Sequence, residues 1–276
     1  MEEITRELAR SFLPPRDPDG HKGTFGKVCV YGGDLGYTGA PVYAGEAAVR
    51  TGSGLVFVGV PEEVYPIVAG RCASAMAYPI PEGYADHLRR MTACDAVLIG
   101  PGLGRCWWAE ERAVALLRDL ECPVVLDADG INAAAAHIDV LEGRRSPTVV
   151  TPHEAEFRRL GGDLSPGREA AAEAFARKHG CVLVLKGPRT VVAAPDGRLL
   201  VNTTGNCGMA KGGSGDVLAG MILSLIGQRA APLEAAACAV WIHGRAGDLC
   251  ARELTEYAMT PIDMVERLPA VFKELV

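Results

Sequence analysis

The 276-residue chain reads as an α/β protein built on a largely parallel sheet wrapped by helices. Three observations predict this. Short apolar runs alternate with helix-spaced segments along most of the chain. Aromatic residues are scarce (6%) while Ala, Val, Leu and Gly abound, a composition suited to helices packed tightly on a sheet buried on both faces. The 33 glycines cluster in short runs that follow the apolar runs, where tight turns or close backbone approach to a ligand require them.

Taken in order, the Pro- and Asp-rich Arg10–Gly23 predicts an irregular lead-in. Lys27–Tyr31 (KVCVY) predicts a buried strand, Ala40–Thr51 a helix after Thr38-Gly39, and Leu55–Val60 (LVFVGV) a second strand. Asp95–Ile99 predicts a third strand, with a helix over Trp108–Leu120. Pro123–Asp127 and Thr148–Val150 predict further strands, followed by helices over Glu154–Leu160 and Gly167–His179. Val182–Lys186, Thr190–Ala194 and Leu199–Asn202 complete the strands. Ser214–Ile226 and Leu233–Ala251 predict long apolar helices, the latter able to bury an interface between copies.

Composition excludes several classes. Hydrophobic residues reach 49% and charged ones 22%, so a large core can form. The formal net charge is −6 with no basic stripe, which disfavours nucleic acid. No apolar stretch is long enough for a membrane span, and the acidic start Met1-Glu-Glu-Ile-Thr-Arg-Glu7 does not read as a secretory signal. The nine cysteines contain no C-x-x-C pair, which predicts reduced thiols, a cytoplasmic protein and no zinc site.

In such folds ligands gather at the C-terminal ends of the strands. Four clusters fall there: Gly32-Gly33-Asp34, Gly100-Pro-Gly-Leu-Gly104, Asp127-Ala-Asp129 and Thr151-Pro-His153. The strongest motif is Gly208-Met-Ala-Lys-Gly-Gly-Ser-Gly-Asp216, which runs into the Ser214 helix. Gly212, Gly213 and Gly215 let backbone N–H groups turn inward, and the helix start adds partial positive charge. Together they suit a transferring phosphoryl group, with Asp216 placed to accept a proton from an attacking hydroxyl. The alternative is a tight loop with Asp216 as a first-turn charge. The run lacks the G-x-x-x-x-G-K-[ST] spacing of a P-loop.

The other clusters carry weaker signals. Gly32 to Ala40 could cradle an anion at a helix start or serve as an ordinary turn. Gly100–Gly104 only partly resembles a dinucleotide fingerprint, because Arg105 interrupts it, and reads as a close-approach loop. Asp127, Asp129 and Asn132 could hold Mg²⁺ through water. Thr151 is a possible helix cap ahead of Pro152, which leaves His153 in the first turn facing the ligand edge and Glu156 as a metal-positioning or capping-box residue. Lys186-Gly-Pro-Arg-Thr190 predicts a hairpin able to hold adenine or phosphates. His21, His87, His137, His179 and His243 show no partner pattern, and Trp107-Trp108 read as packing or interface residues.

In this order, the glycine clusters, Tyr37-Thr-Gly-Ala40, Asp127-Ala-Asp129, Thr151-Pro-His153, Lys186-Gly187 and the run ending at Asp216 resemble the nucleotide-dependent NAD(P)H-hydrate dehydratases. The resemblance covers about residues 20–260. It implies a ribokinase-like three-layer sandwich with a mostly parallel central sheet, formed by residues 1–276 as one domain without the epimerase domain that precedes it in many such proteins. It implies repair of the S epimer of NADHX or NADPHX with ADP or ATP as co-substrate, Mg²⁺ and a homotetramer. Position by position, Ala40, Gly102, Gly104, His153 and Asp216 match hydrate-binding positions, with Asp216 catalytic. Lys186, Gly187, Pro188, Arg189, Thr190, Gly212, Gly213 and Gly215 match nucleotide-binding positions, and no protein residue is assigned as a direct metal ligand. Two departures stand out: Gly130, where Ala or Leu is usual, and Cys207, where Pro or Ala is common. A hydroxymethylpyrimidine or thiazole kinase of the same superfamily is the alternative, and a non-catalytic nucleotide sensor a third.

Overall fold

In the computed structural model, which describes residues 1–104 and 106–276, ten strands form one sheet. They are β1 (Glu2–Glu3), β2 (Lys27–Tyr31), β3 (Leu55–Val60), β4 (Met76–Pro79), β5 (Ala96–Ile99), β6 (Val124–Leu126), β7 (Thr148–Val150), β8 (Val182–Leu185), β9 (Val191–Ala193) and β10 (Leu199–Val201). Their spatial order is β1-β10-β9-β8-β7-β6-β5-β2-β3-β4. Only β9 runs antiparallel to its neighbours; every other pairing is parallel. From β2 the chain moves outward to β4, then returns to β5 on the other side of β2. The order therefore reverses between β2 and β5, which opens a crevice at their C-terminal ends.

The helices are α1 (Arg6–Ser11), α2 (Gly39–Arg50), α3 (Tyr65–Ala69), α4 (Tyr84–Thr92), α5 (Trp107–Asp119), α6 (Ala128–Ala135), α7 (Asp139–Glu142), α8 (Glu154–Arg159), α9 (Arg168–His179), α10 (Ser214–Gly227), α11 (Pro232–Ala258) and α12 (Pro261–Leu275). Residues of α1–α3 and α10–α12 share one core with one face of the sheet, and residues of α4–α9 share a second core with the other. Strand side chains alternate between these cores: Val28 and Val30 enter the first, Cys29 and Tyr31 the second. Burial on both faces explains why the strands read as continuous apolar runs.

Two expectations need correction. The irregular lead-in starts later than Arg10, because α1 extends to Ser11 after Thr5 Oγ1 accepts the Leu8 N–H at 3.1 Å. The apolar surface of α11 is buried in the chain's own core from Leu233 to Cys250, so that surface is not available for an interface.

Helix α10 crosses α2 beneath the crevice through Gly220. A Cβ there would stand 2.1 Å from the Ala44 carbonyl oxygen. Gly220→Ala is expected to destabilise the fold by about 1–3 kcal/mol through overpacking. Chemical denaturation checks this; an unchanged midpoint would show that the two helices have room to separate.

Candidate functional site

The loops after β2, β5 and β6 meet at the crevice, and glycine sets how closely. Gly100 adopts φ +129°, and a Cβ on it would lie 1.8 Å from the Asp127 carbonyl oxygen. At Gly102 a Cβ would lie 2.6 Å from Tyr37 O and 3.1 Å from Ala40 Cβ. The Gly104 N–H donates to Asp129 Oδ2 at 3.1 Å. Ala40, Gly102 and Gly104 thus form one floor of small residues at the switch point, and the run is the close-approach loop its sequence predicts. Gly130 also fits tightly, since a Cβ would meet Ile99 O at 2.4 Å. Arg105, which interrupts the fingerprint, lies outside the described residues.

Next to this floor stands a charged centre. Lys186 leaves β8 and its Nζ lies 2.8 Å from Asp127 Oδ1 and 3.9 Å from Glu156 Oε2. The Thr151 hydroxyl donates to the same Asp127 oxygen at 2.6 Å. Burial disfavours the Lys186 charge, but Asp127, Glu156 and Asp216 outweigh it and raise its pKa. Asp216, in the first turn of α10, has its carboxyl pushed up to about 7. Burial is the main cause, Asp127 adds to it, and Lys186 opposes it. Gly215 sits directly against this centre: its Cβ would lie 3.2 Å from Lys186 Nζ.

The glycine run follows the predicted path into α10. Gly213 holds φ +103°, and a Cβ there would lie 2.9 Å from both the Tyr43 ring and Pro261. Of the first-turn amides of α10, that of Ser214 donates to Lys211 O at 3.2 Å and that of Val217 to Gly213 O at 3.1 Å, while those of Gly215 and Asp216 have no preceding helical turn to donate to and can meet an anion. Lys211 does not join them. Its Nζ donates to the carbonyls of Tyr257 (2.7 Å) and Met259 at the end of α11, so the run contributes no free cation. Lys186 supplies that charge instead.

His153 is itself the cap of α8, correcting the expectation for Thr151. Its Nδ1 accepts the Ala155 and Glu156 N–H groups, while the His153 N–H donates to Glu156 Oε2. The ring remains half exposed at the ligand edge, with Nε2 3.6 Å from Glu156 Oε1. The hairpin Lys186–Thr190 forms as expected, with Gly187, Pro188 and Arg189 exposed and Thr190 Oγ1 donating to Gly187 O at 3.0 Å. Arg168 escaped sequence reasoning: from α9 it pairs with Glu154 and donates to Leu185 O (2.9 Å) and Lys186 O (3.2 Å). Only tertiary structure brings that surface-looking arginine under the hairpin. Trp107 is 74% exposed, so it does not pack within this chain.

The oxygens of Asp127, Asp129, Asn132 and Glu156 fit Mg²⁺ by chemistry, and Asn132 Oδ1 is buried without a hydrogen-bond partner. Among the described residues no three His, Cys, Asp or Glu converge as direct ligands. The donor set therefore suits a hydrated ion rather than one held by direct protein ligands alone.

Fold and site together define a ribokinase-like protein; the ribokinase of Thermotoga maritima, 12% identical over 90% of this chain and all of its own, shares the fold with a TM-score of 0.57. The chain belongs to the NAD(P)H-hydrate dehydratase family, whose sequence profile matches residues 28–270. A bifunctional NAD(P)H-hydrate repair enzyme of Moorella thermoacetica is 41% identical over 99% of this chain and 54% of its own length. The chain spans about half the length of the curated bifunctional relatives it matches. An ADP-dependent (S)-NAD(P)H-hydrate dehydratase of Bacillus subtilis is 34% identical, covering 98% of this chain and 97% of its own. A crystal structure of a Bacillus subtilis ADP/ATP-dependent NAD(P)H-hydrate dehydratase, grown with ATP and Mg²⁺, superposes with a TM-score of 0.85 at 32% identity, covering 100% of this chain and 99% of that one.

The raised Asp216 pKa ties the site to stability. Between the ordinary carboxylate pKa near 4 and about 7, the folded chain binds more protons at Asp216 than the unfolded chain does. That stability is complete below the unfolded value and is lost as pH rises through about 7. Asp216→Asn removes this titration, so its melting-temperature advantage over the parent is expected to grow from about pH 5 to about pH 8. A difference independent of pH would mean Asp216 ionises normally.

Proposed function

We propose that the chain dehydrates the S epimer of NADHX or NADPHX back to NADH or NADPH with ADP or ATP as phosphoryl donor. The observation that carries this reading is the position of Asp216. It lies at the start of α10, where its own amide and that of Gly215 can meet an anion, and it feels the charge of Asp129, which also holds Gly104 of the small-residue floor. Family membership and the names of the full-length relatives support the same chemistry.

Hydroxide is a poor leaving group from the carbon next to the ring nitrogen. In the proposed reaction the Asp216 carboxylate takes the proton of that hydroxyl, and its oxygen attacks the terminal phosphorus of the nucleotide. The bond to the nucleoside phosphate breaks, and charge on the moving group falls on the amides at Gly212, Gly213 and Gly215. One such donor contributes on the order of 3 kcal/mol to transition-state stabilisation. The nitrogen lone pair then expels phosphate, and loss of a proton from the neighbouring carbon restores the ring double bond. Mg²⁺ bound with the nucleotide supplies neutralisation of its phosphates.

Ala40, Gly102, Gly104 and His153 line the hydrate side in this reading. The hairpin Lys186-Gly-Pro-Arg-Thr190 and Gly215 line the nucleotide side. Lys186 faces the reacting centre from the Asp127 pair, and its charge acts there rather than on adenine. A cytoplasmic setting accords with the nine free cysteines. Assembly as a homotetramer is part of the proposal, with the exposed Trp107 as a surface open to contact.

Incubation with S-NADHX and either ADP or ATP is expected to restore the absorbance of the dihydronicotinamide. Asp216→Asn is expected to lower kcat by about a hundredfold or more, the scale of losing a general base. No recovery with either nucleotide, or full turnover by Asp216→Asn, contradicts the proposal.

A further inference from the structure

One buried imidazole lies against the glycine turn, and no sequence pattern marks it. His243 projects from α11 and is 8% exposed. Its ring is within hydrogen-bonding reach of the Ser214 main chain, the first residue of α10, and it feels the charge of Lys186. Burial drives its pKa down to about 4, so the ring is neutral at ordinary pH. The Nε2 atom of His243 and the Oγ atom of Ser214, itself 7% exposed, are both buried without a hydrogen-bond partner.

The surrounding packing explains what a group there can do. Along α11, the Trp241 carbonyl accepts the Thr204 hydroxyl at 3.1 Å, and Asp248 accepts the Gly205 N–H and the Asn206 side-chain amide, each at 3.1 Å. Gly244 and Gly247 admit the loop closely, since a Cβ would lie 2.2 Å from Thr204 Oγ1 or 2.4 Å from Met209 Sδ. Lys211 ties the next residues to the end of α11. The loop is thus clamped at 204–206, at Met209 and at Lys211. Beyond Lys211 come Gly212 and Gly213, which lose the most freedom on ordering. A site that stabilises a moving phosphoryl group needs those amides fixed beforehand. His243 reaches from α11 to Ser214, where they turn into α10.

We propose that His243 is a positioning residue for phosphoryl transfer: it clamps the Ser214 main chain, and with the transferring group bound the Ser214 hydroxyl donates to His243 Nε2. This rests on the phosphoryl-transfer part of the reading above. The two unpartnered atoms fit this role, because unmade buried hydrogen bonds are costly and making this one favours the loaded site.

The test compares the full chain with His243→Ala, His243→Gln and Ser214→Ala. Hydrate turnover by His243→Ala is expected to fall in kcat by about tenfold to a hundredfold, with the nucleotide KM changed by less than about threefold. His243→Gln, which restores a donor and an acceptor, is expected to recover most of that loss. The losses of His243→Ala and Ser214→Ala are expected to be non-additive in the double variant.

A second readout needs no turnover: the gain in ADP affinity on adding aluminium fluoride, a mimic of the transferring group. His243→Ala is expected to remove most of a gain that the parent shows. Should His243→Ala fail to fold, His243→Gln and Ser214→Ala carry the same comparison, with Ser214→Ala reducing the gain. A chain that shows the gain but repairs no hydrate would remove the proposed substrate and leave this inference standing. Additive losses, an effect on KM alone, or an undiminished fluoride-dependent gain would overturn it.

Discussion

The ion pair between Lys186 and Asp127 is the interaction on which the site depends. It joins the ends of β8 and β6 and is anchored by Thr151 from β7, so three neighbouring strands fix one ammonium group. That group stands among three carboxylates, Asp127, Glu156 and Asp216. Burial first and the Asp127 charge second raise the Asp216 carboxyl, and the ammonium opposes both, leaving it pushed up to about 7. This leaves Asp216 near the balance point at which a carboxylate can accept a proton and still be ionised often enough to act.

The second constraint is rigidity in a segment made of residues that resist it. Gly213, at φ +103°, is crowded by Tyr43 and Pro261, and a Cβ on Gly215 would press on Lys186 Nζ, whereas Gly212 has open space around it. The same glycines make the loop entropically expensive to order. Helix α11 supplies the order from outside, through Trp241, Asp248, the close approaches at Gly244 and Gly247, and its own terminal carbonyls on Lys211. This explains why a helix that reads as generic core bears so directly on the site.

Much of the fold was legible because local and tertiary demands agree. Three strands, Lys27–Tyr31, Leu55–Val60 and Thr148–Val150, match the structure residue for residue, since strands buried on both faces are apolar throughout. Other elements were hidden for identifiable reasons. The two acidic residues of β1 have no strand propensity and join the sheet only by pairing with β10. The short edge strand β4 carries no alternation, and Pro269 inside α12 masks a helix whose start is capped by Thr260 and Asp263. In the site, the order of glycine clusters marked the C-terminal ends of the strands, where the loops after β2, β5 and β6 meet. The roles of Lys211 and Arg168 did not appear, because a cation's partner is set by residues far along the chain. His243 showed nothing in sequence, since its neighbour Ser214 lies on another helix.

In the proposed reaction, phosphate leaves with the repair rather than remaining on the product. The direct measurement is the ratio of inorganic phosphate released to NADH recovered when S-NADHX is incubated with nucleotide. One phosphate for each NADH is expected. A stable phosphorylated product without phosphate release, or NADH recovered without nucleotide consumption, would contradict it.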